Sequence, residues 1–436
     1  MTAPLRRFLH IEAASGVLLL VATAIALLMA NTGMAEGYRA FVDTPVVISG
    51  GPIVLDYPLW YWVNDALMAL FFFVVGLEIK RELTVGELTD KRKAALPVIA
   101  AIGGAVLPAL IFLVVLGDAE GMQAWAVPMA TDIAFVVGAL ALFGSRVPSG
   151  LKVFVLTLAI ADDLFAVLII AFFFSEGIDP AWLGAAAGGF ALVFAMRSVE
   201  VRSIAAYVLV GVFIWLCTLK SGVHPTVAGV LLGLMTPAKA WLNRREAAKA
   251  IAALTEALEA EESGLDAQSV AEARVAALEV DAPLERLENA LHPWVAFLIM
   301  PLFVFVNAGV ALGDATVTEG VGLAIALGLL FGKPIGIGLF AWLSVKFFGA
   351  RVGAGVTWPM LFAAGVLCGV GFTMSLFIAS LGLSGEALES AKAGILYGSG
   401  ASLVLGLGLL AFLLPRKGAL ADEAADQGVI SAETIR

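Results

Sequence analysis

Blocks of mostly apolar residues, many of them near the ~20 that one helical crossing of a bilayer needs, recur along almost the whole chain. They lie near 12–30, 59–79, 95–116, 122–144, 150–174, 180–196, 203–219, 223–236, 293–313, 320–345, 356–381 and 390–414. In hydrocarbon a backbone must satisfy its own polar groups, so such blocks are either helices or strands of a closed barrel. Runs such as GVLLLVATAIALLMA (16–30) and VFVLTLAIADDLFAVLIIAFFF (153–174) lack the alternation, over about ten residues, that a barrel strand shows. The spans are therefore helices. With 61% hydrophobic and only 14% charged residues, a water-soluble enzyme and a disordered chain are both excluded.

The basic residues orient the spans, because cytoplasmic loops are enriched in Lys and Arg. Assigning successive loops to alternate sides puts 22 of the 26 Lys and Arg on one side, three (Arg39, Lys220, Lys392) on the other, and Lys333 inside a span. The expectation is an all-α polytopic membrane protein of twelve transmembrane helices with both termini cytoplasmic. Residues 1–236 carry spans one to eight, 237–290 form a cytoplasmic amphipathic insert, 291–414 carry spans nine to twelve, and 415–436 form a polar tail. The insert holds 11 Asp or Glu and 6 Lys or Arg among Ala and Leu at helical spacing, and is read as a solvated helical linker without chemistry. MTAPLRRFLH resembles a signal sequence only superficially, since Glu12 interrupts the apolar run. Between spans one and two, VVIS (46–49), Gly50-Gly51 and PIVL (52–55) predict a small β-hairpin on the outer side. Its edge is a site for pairing with a second copy of the chain. Cys217 and Cys368 lie within apolar blocks without metal-ligand spacing and read as packing residues.

Ionisable groups at bilayer depth cost about 2.5–3.5 kcal/mol each on insertion scales and mark ion pathways or relays. Four converge here. Asp132 lies about ten residues into span four, Asp162 and Asp163 about twelve into span five, and Lys333 about thirteen into span ten. Successive helical residues point about 100° apart, so Asp162 and Asp163 have separate roles. One acid pairs with Lys333 and the other joins Asp132 around a polar cavity. Like charge and desolvation raise carboxylate pKa values, so that a proton competes with a hard cation. Oxygen ligands suit such a cation, and Thr131 adds another oxygen beside Asp132.

Two spans also read as broken. Pro128 stands just before Thr131-Asp132 in AVPMATDIAF (126–135), and Gly369 and Gly371 centre VLCGVGFTMS (366–375). Backbone freed by Pro and Gly must be satisfied inside protein or a wet cavity, and interrupted segments in corresponding halves point to a transporter site. Spans three to five and ten to twelve are offset by seven, an odd number, so they form repeats of inverted topology. GVGFTM is not a nucleotide loop, because no strand precedes it. At the cytoplasmic mouth, Glu78, Lys80, Arg81 and Glu82 end span two, while Glu288 and His292 begin span nine. A His between carboxylates titrates near neutrality, so the cluster is a candidate pH sensor. His224 is placed at the outer start of span eight and Asp65 near the outer end of span two.

These residues together resemble the NhaA-type Na+/H+ antiporter family, over nearly the whole chain. The resemblance rests on NDALMALFFFVVGLEIKREL (64–83), MATDIAF (129–135), LTLAIADDLFAV (156–167), LHPWVAFLIMPLFVFVNAGV (291–310), GKPIGI (332–337) and GVGFTMS (369–375). It implies that Asp163 and Asp132, with Thr131, bind Na+ or Li+, and that Asp162 pairs with Lys333. It implies electrogenic export of sodium by alternating access, with spans four and eleven unwound and crossed, and with Asp132 and Lys333 balancing the half-helix ends. Glu78, Arg81, Glu82, Glu288 and His292 would match the family's alkaline activation region. Asn289 stands where familiar members carry another His, and the insert after residue 245 is longer than in compact members. The resemblance further implies a bacterial inner-membrane protein, and the edge of the hairpin predicts a homodimer. Its partners are Na+ or Li+, protons and lipid, with no cofactor, nucleic acid or enzyme chemistry.

Rival readings are a retinal pump built on Lys333, an intramembrane aspartyl protease, and a Na+- or H+-coupled solute symporter. Twelve spans argue against the first. Neither Asp132 nor Asp162-Asp163 stands in the Gly-x-Gly-Asp context of the second. The third would need an apolar solute pocket.

Overall fold

Long apolar segments, each closing its own backbone hydrogen bonds, make the chain mostly helical in the computed structural model. The structure describes residues 3–50, 53–117, 120–175, 177–201, 203–239, 282–311 and 320–415. In order these form α1 (Ala3–Ala30), α2 (Ala35–Val42), β1 (Pro45–Gly50), β2 (Ile53–Pro58), α3 (Leu59–Thr84), α4 (Lys91–Leu116), a 3-10 segment (Met122–Met129), α5 (Ile133–Leu142) and α6 (Ser149–Phe173). Then follow α7 (Pro180–Ser198), α8 (Ile204–Lys220), α9 (Thr226–Met235), α10 (Pro283–Asn307), α11 (Gly320–Phe348), α12 (Trp358–Leu367), α13 (Phe372–Gly382) and α14 (Gly385–Leu413). Asp90, Asp179 and Ser203 start α4, α7 and α8 by accepting backbone N–H groups of the first turn.

Among the described residues, eight helices are long and apolar enough to cross a membrane, or up to ten if each of two bent pairs is one span. The bent pairs are α1 with α2, at 117°, and α12 with α13, at 47°; α8 and α9 are shorter apolar helices. This is a multi-pass membrane protein.

The structure differs from the sequence reading at span nine and in the hairpin. Span nine, expected at 293–313, runs from Pro283 to Asn307, because its first turns carry Glu285, Arg286 and Glu288 and escape an apolar window. Residues 283–290 thus belong to a helix and not to the insert. Of the insert, 240–281 lie outside the described residues, as do 416–436 of the tail. The strands run Pro45–Gly50 and Ile53–Pro58, paired from Pro45↔Pro58 to Gly50↔Ile53, in place of the expected 46–49 and 52–55, so the first gains a residue at each end and the second is shifted toward Pro58.

The chain divides into two compact units. The first comprises Met1–Asn64, Asp90–Phe174 and Met300–Arg436, the second Asp65–Thr89 and Ser175–Ile299. In the first, α4 and α11 lie so close that a Cβ on Gly332 would stand 2.5 Å from Pro108 Cα. Small residues at such contacts let backbones approach where no hydrophobic effect drives association. In the second, α3 and α9 meet the same way, with Gly76 against the Val230 carbonyl.

Candidate functional site

Span four begins as the 3-10 segment containing Pro128, is extended at Ala130 and again at Asp132, and resumes as α5. Span eleven is interrupted between α12 and α13 by residues 368–371, where Gly369 and Gly371 admit neighbouring groups that a side chain would displace. Both interruptions lie in the first unit, and they are stitched to one another. Thr131 Oγ1 donates to the Cys368 carbonyl (3.0 Å), and Ser375 Oγ donates to the Val127 carbonyl (2.8 Å). The Asp132 N–H donates to the Val370 carbonyl (2.7 Å). Each broken segment thus supplies a hydroxyl to the carbonyl-rich end of the other's first half, where helix ends carry partial negative charge.

Asp132 serves the opposite ends. Its Oδ1 accepts the Phe135 N–H of α5 (3.3 Å), and its Oδ2 accepts the Thr373 N–H of α13 (3.0 Å) as well as the Thr373 hydroxyl. One buried carboxylate caps two half-helices, each presenting partial positive charge. The family resemblance gave Asp132 both to a cation and to the half-helix ends; its oxygens here bond the starts of α5 and α13, and a cation would have to share them.

Lys333 is fully buried, and its Nζ donates to Asp162 Oδ2 at 2.8 Å. A π-helical turn, Gly328–Gly332, immediately precedes it. Pro334 lacks an N–H to continue the α-helical ladder, which explains a local widening of the helix, and such turns recur at functional sites. Asp163, equally buried, occupies the next position of α6. Carboxylate and hydroxyl oxygens are hard donors, and a buried carboxylate can hold either a proton or a small hard cation. Among the described residues, no three His, Cys, Asp or Glu side chains cluster as a tight metal centre would.

The expected cytoplasmic cluster lies in the second unit. Arg81 forms a very short ion pair with Glu288 and stands 3.8 Å from Glu82. Glu82 also accepts the Glu87 N–H (3.0 Å). Glu78 is half-buried one turn before Arg81 and Glu82 on α3, while His292 is buried one turn after Glu288 on α10. Lys80 stands half-buried on the same helix, α3. The same unit pairs His224 Nε2 with Asp65 Oδ1 at 3.6 Å, and places His224 Nδ1 2.7 Å from Thr226 Oγ1. Reading the sequence placed His224 and Asp65 separately and missed that they meet.

It also missed Thr373, Ser375 and Ser399. The first two lie inside the GVGFTMS string already singled out. Ser399, on α14, accepts the N–H groups of Gly371 (3.3 Å) and Phe372 (3.2 Å), and nothing but the small, polar face of that helix signals it.

The family model described as Na+/H+ antiporter 1 matches residues 6–410. A Na(+)/H(+) antiporter NhaA of Rhodopirellula baltica is 44% identical over 416 residues, covering 95% of this chain and 94% of its own length. Proteins of that name from Bordetella petrii (45% identical; 99% and 95% covered) and Proteus mirabilis (46% identical; 95% and 98% covered) are similar along their full length.

Proposed function

This chain belongs to the Na+/H+ antiporter family and exchanges Na+ for H+, and we propose that the exchange runs through Asp163. Na+ or Li+ binds Asp163 with oxygens from Asp132 and Thr131, while Asp162 holds Lys333 in one state and releases it in another. The observation that carries this reading is the buried Lys333–Asp162 pair. It engages one of two successive acids, and its neighbour, about 100° around the helix, faces other surroundings. From the cytoplasm a deprotonated site takes Na+; after a change of access, outside protons displace it. More protons enter than sodium leaves, so the exchange is electrogenic and the membrane potential helps drive it.

Twelve spans follow if the two bent pairs and the shorter helices α8 and α9 each count as one crossing beside the eight long helices. The reciprocal hydroxyl-to-carbonyl bonds of spans four and eleven support inverted repeats of spans three to five and ten to twelve. The Lys/Arg bias supports cytoplasmic termini in the inner membrane of a bacterium. Glu78, Arg81, Glu82, Glu288 and His292 form the pH-sensing mouth. The symporter alternative finds no support in relatives whose name is that of an antiporter.

The test is proton flux in everted membrane vesicles, acid inside, on adding Na+, Li+ or K+ from neutral to alkaline pH. Alkalinisation is expected with Na+ or Li+ and not with K+, and Asp163→Asn should abolish it. An Asp163→Asn variant with wild-type exchange would overturn the assignment.

A further inference from the structure

We propose that Ser399 is a positioning residue for the ion site, acting through the start of α13; this rests on the reading that Asp132 shares the cation with Asp163. A helix start leaves several N–H groups unpaired and a partial positive charge that attracts carboxylates. At α13 those groups are divided between two acceptors. The neutral hydroxyl of Ser399 takes the N–H of Gly371 and of Phe372, and the carboxylate of Asp132 takes that of Thr373. Ser399 and Asp132 come from different helices, and both are buried. Water therefore does not substitute readily for either.

The division decides how much of the Asp132 charge is spent on the protein itself. Without the Ser399 hydroxyl, two buried N–H groups lose their acceptor, and a buried donor without a partner is costly. The carboxylate already bonded one residue further on is the anionic acceptor at the same helix start. It would be drawn further onto the turn, and its oxygens would serve a cation less well. Packing of α14 keeps the hydroxyl in place, because Gly398 beside it admits span ten so closely that a Cβ there would stand 2.9 Å from Ala326 Cα.

Ser402, one turn along α14, supplies an internal control. It is also fully buried, and its Oγ is the only buried side-chain polar atom among the described residues without a hydrogen-bond partner. It faces Gly369, where a Cβ would stand 2.6 Å from that Oγ. A packing effect of this helix face on span eleven would follow either serine; a positioning effect on Asp132 follows Ser399 alone.

The experiment is Na+-driven proton flux in proteoliposomes at one fixed pH, over a range of Na+ concentrations, for the full chain and for Ser399→Ala, Ser399→Thr and Ser402→Ala. In Ser399→Ala the half-saturating Na+ concentration should rise about 2- to 10-fold, the range spanned by one hydrogen bond's net worth, with a smaller fall in maximal rate. Ser399→Thr, which keeps the hydroxyl, and Ser402→Ala should stay near the wild type. The proposal is overturned by unchanged half-saturation in Ser399→Ala, by an equal rise in Ser402→Ala, or by a threonine variant as weak as the alanine one. Should Ser399→Ala not reach the membrane folded, Ser399→Cys keeps the volume with a weaker acceptor; a rise supports the proposal, and wild-type half-saturation overturns it. A wild-type protein without Na+-dependent flux would instead remove the reading of the function, and this proposal with it.

Discussion

A lysine with no exposed surface is tolerable only beside a carboxylate, and Lys333 has Asp162 at 2.8 Å. Removing one partner strands the other charge. Lys333→Met should cost about 3–5 kcal/mol of stability, and Lys333→Met with Asp162→Asn should recover most of that loss. Thermal unfolding in detergent measures both; additive losses in the double variant would argue against a coupled pair. That these residues lie far from water was legible in the sequence, because both stand deep inside long apolar blocks. Which acid meets Lys333 was not legible from the residues, since Asp162 and Asp163 share one helix and one depth. The family resemblance supplied an answer; the facing of α6 and α11 supplies the physical one.

At the scale of elements, interruptions of regular helix fall beside the polar residues. Among the described residues there are three π turns: Trp62–Leu67 contains Asn64 and Asp65, Val295–Ile299 follows His292, and Gly328–Gly332 precedes Lys333. Proline explains two of them, through Pro301 and Pro334, each two residues past the end of its turn and without an N–H to continue the α-helical ladder. The turn at Trp62–Leu67 has no such proline after it. Breaks at Thr131-Asp132 and at Gly369–Gly371 were legible, because Pro128 and two glycines announce them. Their mutual stitching was not, because a hydrogen bond between residues more than 230 positions apart leaves no local pattern. The close approach of α4 and α11 sets where Lys333 stands. Gly332→Val should therefore overpack that contact, lowering stability by about 1–3 kcal/mol and reducing exchange, whereas Gly400→Ala, at a glycine facing open space, should do neither. Thermal unfolding together with vesicle flux checks the contrast; equal behaviour of the two variants would show that the contact is not limiting.

At the scale of the molecule, the described helices expose many large apolar side chains, Val114, Phe172, Leu209, Val404 and Phe412 among them, as contact with lipid allows. The hairpin is different in kind. Among the described residues its two strands pair only with each other, which leaves each an edge, and Val47, Ile48 and Val54 are more than half exposed. If a second copy pairs there, Val47→Lys with Val54→Lys should convert dimer to monomer, because charge on an edge opposes strand addition. Light scattering of the purified protein in detergent reads the mass directly, and an unchanged dimer would place the contact elsewhere. Exchange by the monomer would further locate the ion pathway within a single chain.

The sequence by itself determined that this chain enters a membrane, that it does so as helices, and that Asp132, Asp162, Asp163 and Lys333 lie deep within it. Those conclusions follow from the transfer of side chains and peptide groups out of water, which depends on local composition. Only the tertiary structure decided that Asp132 caps two half-helices at once, that Thr131 and Ser375 exchange bonds across the crossing, and that Ser399 reaches in from a third helix. Direction and partner depend on how helices turn and pack against each other. For an α-helix in lipid, that is settled by contacts between segments far apart in the chain.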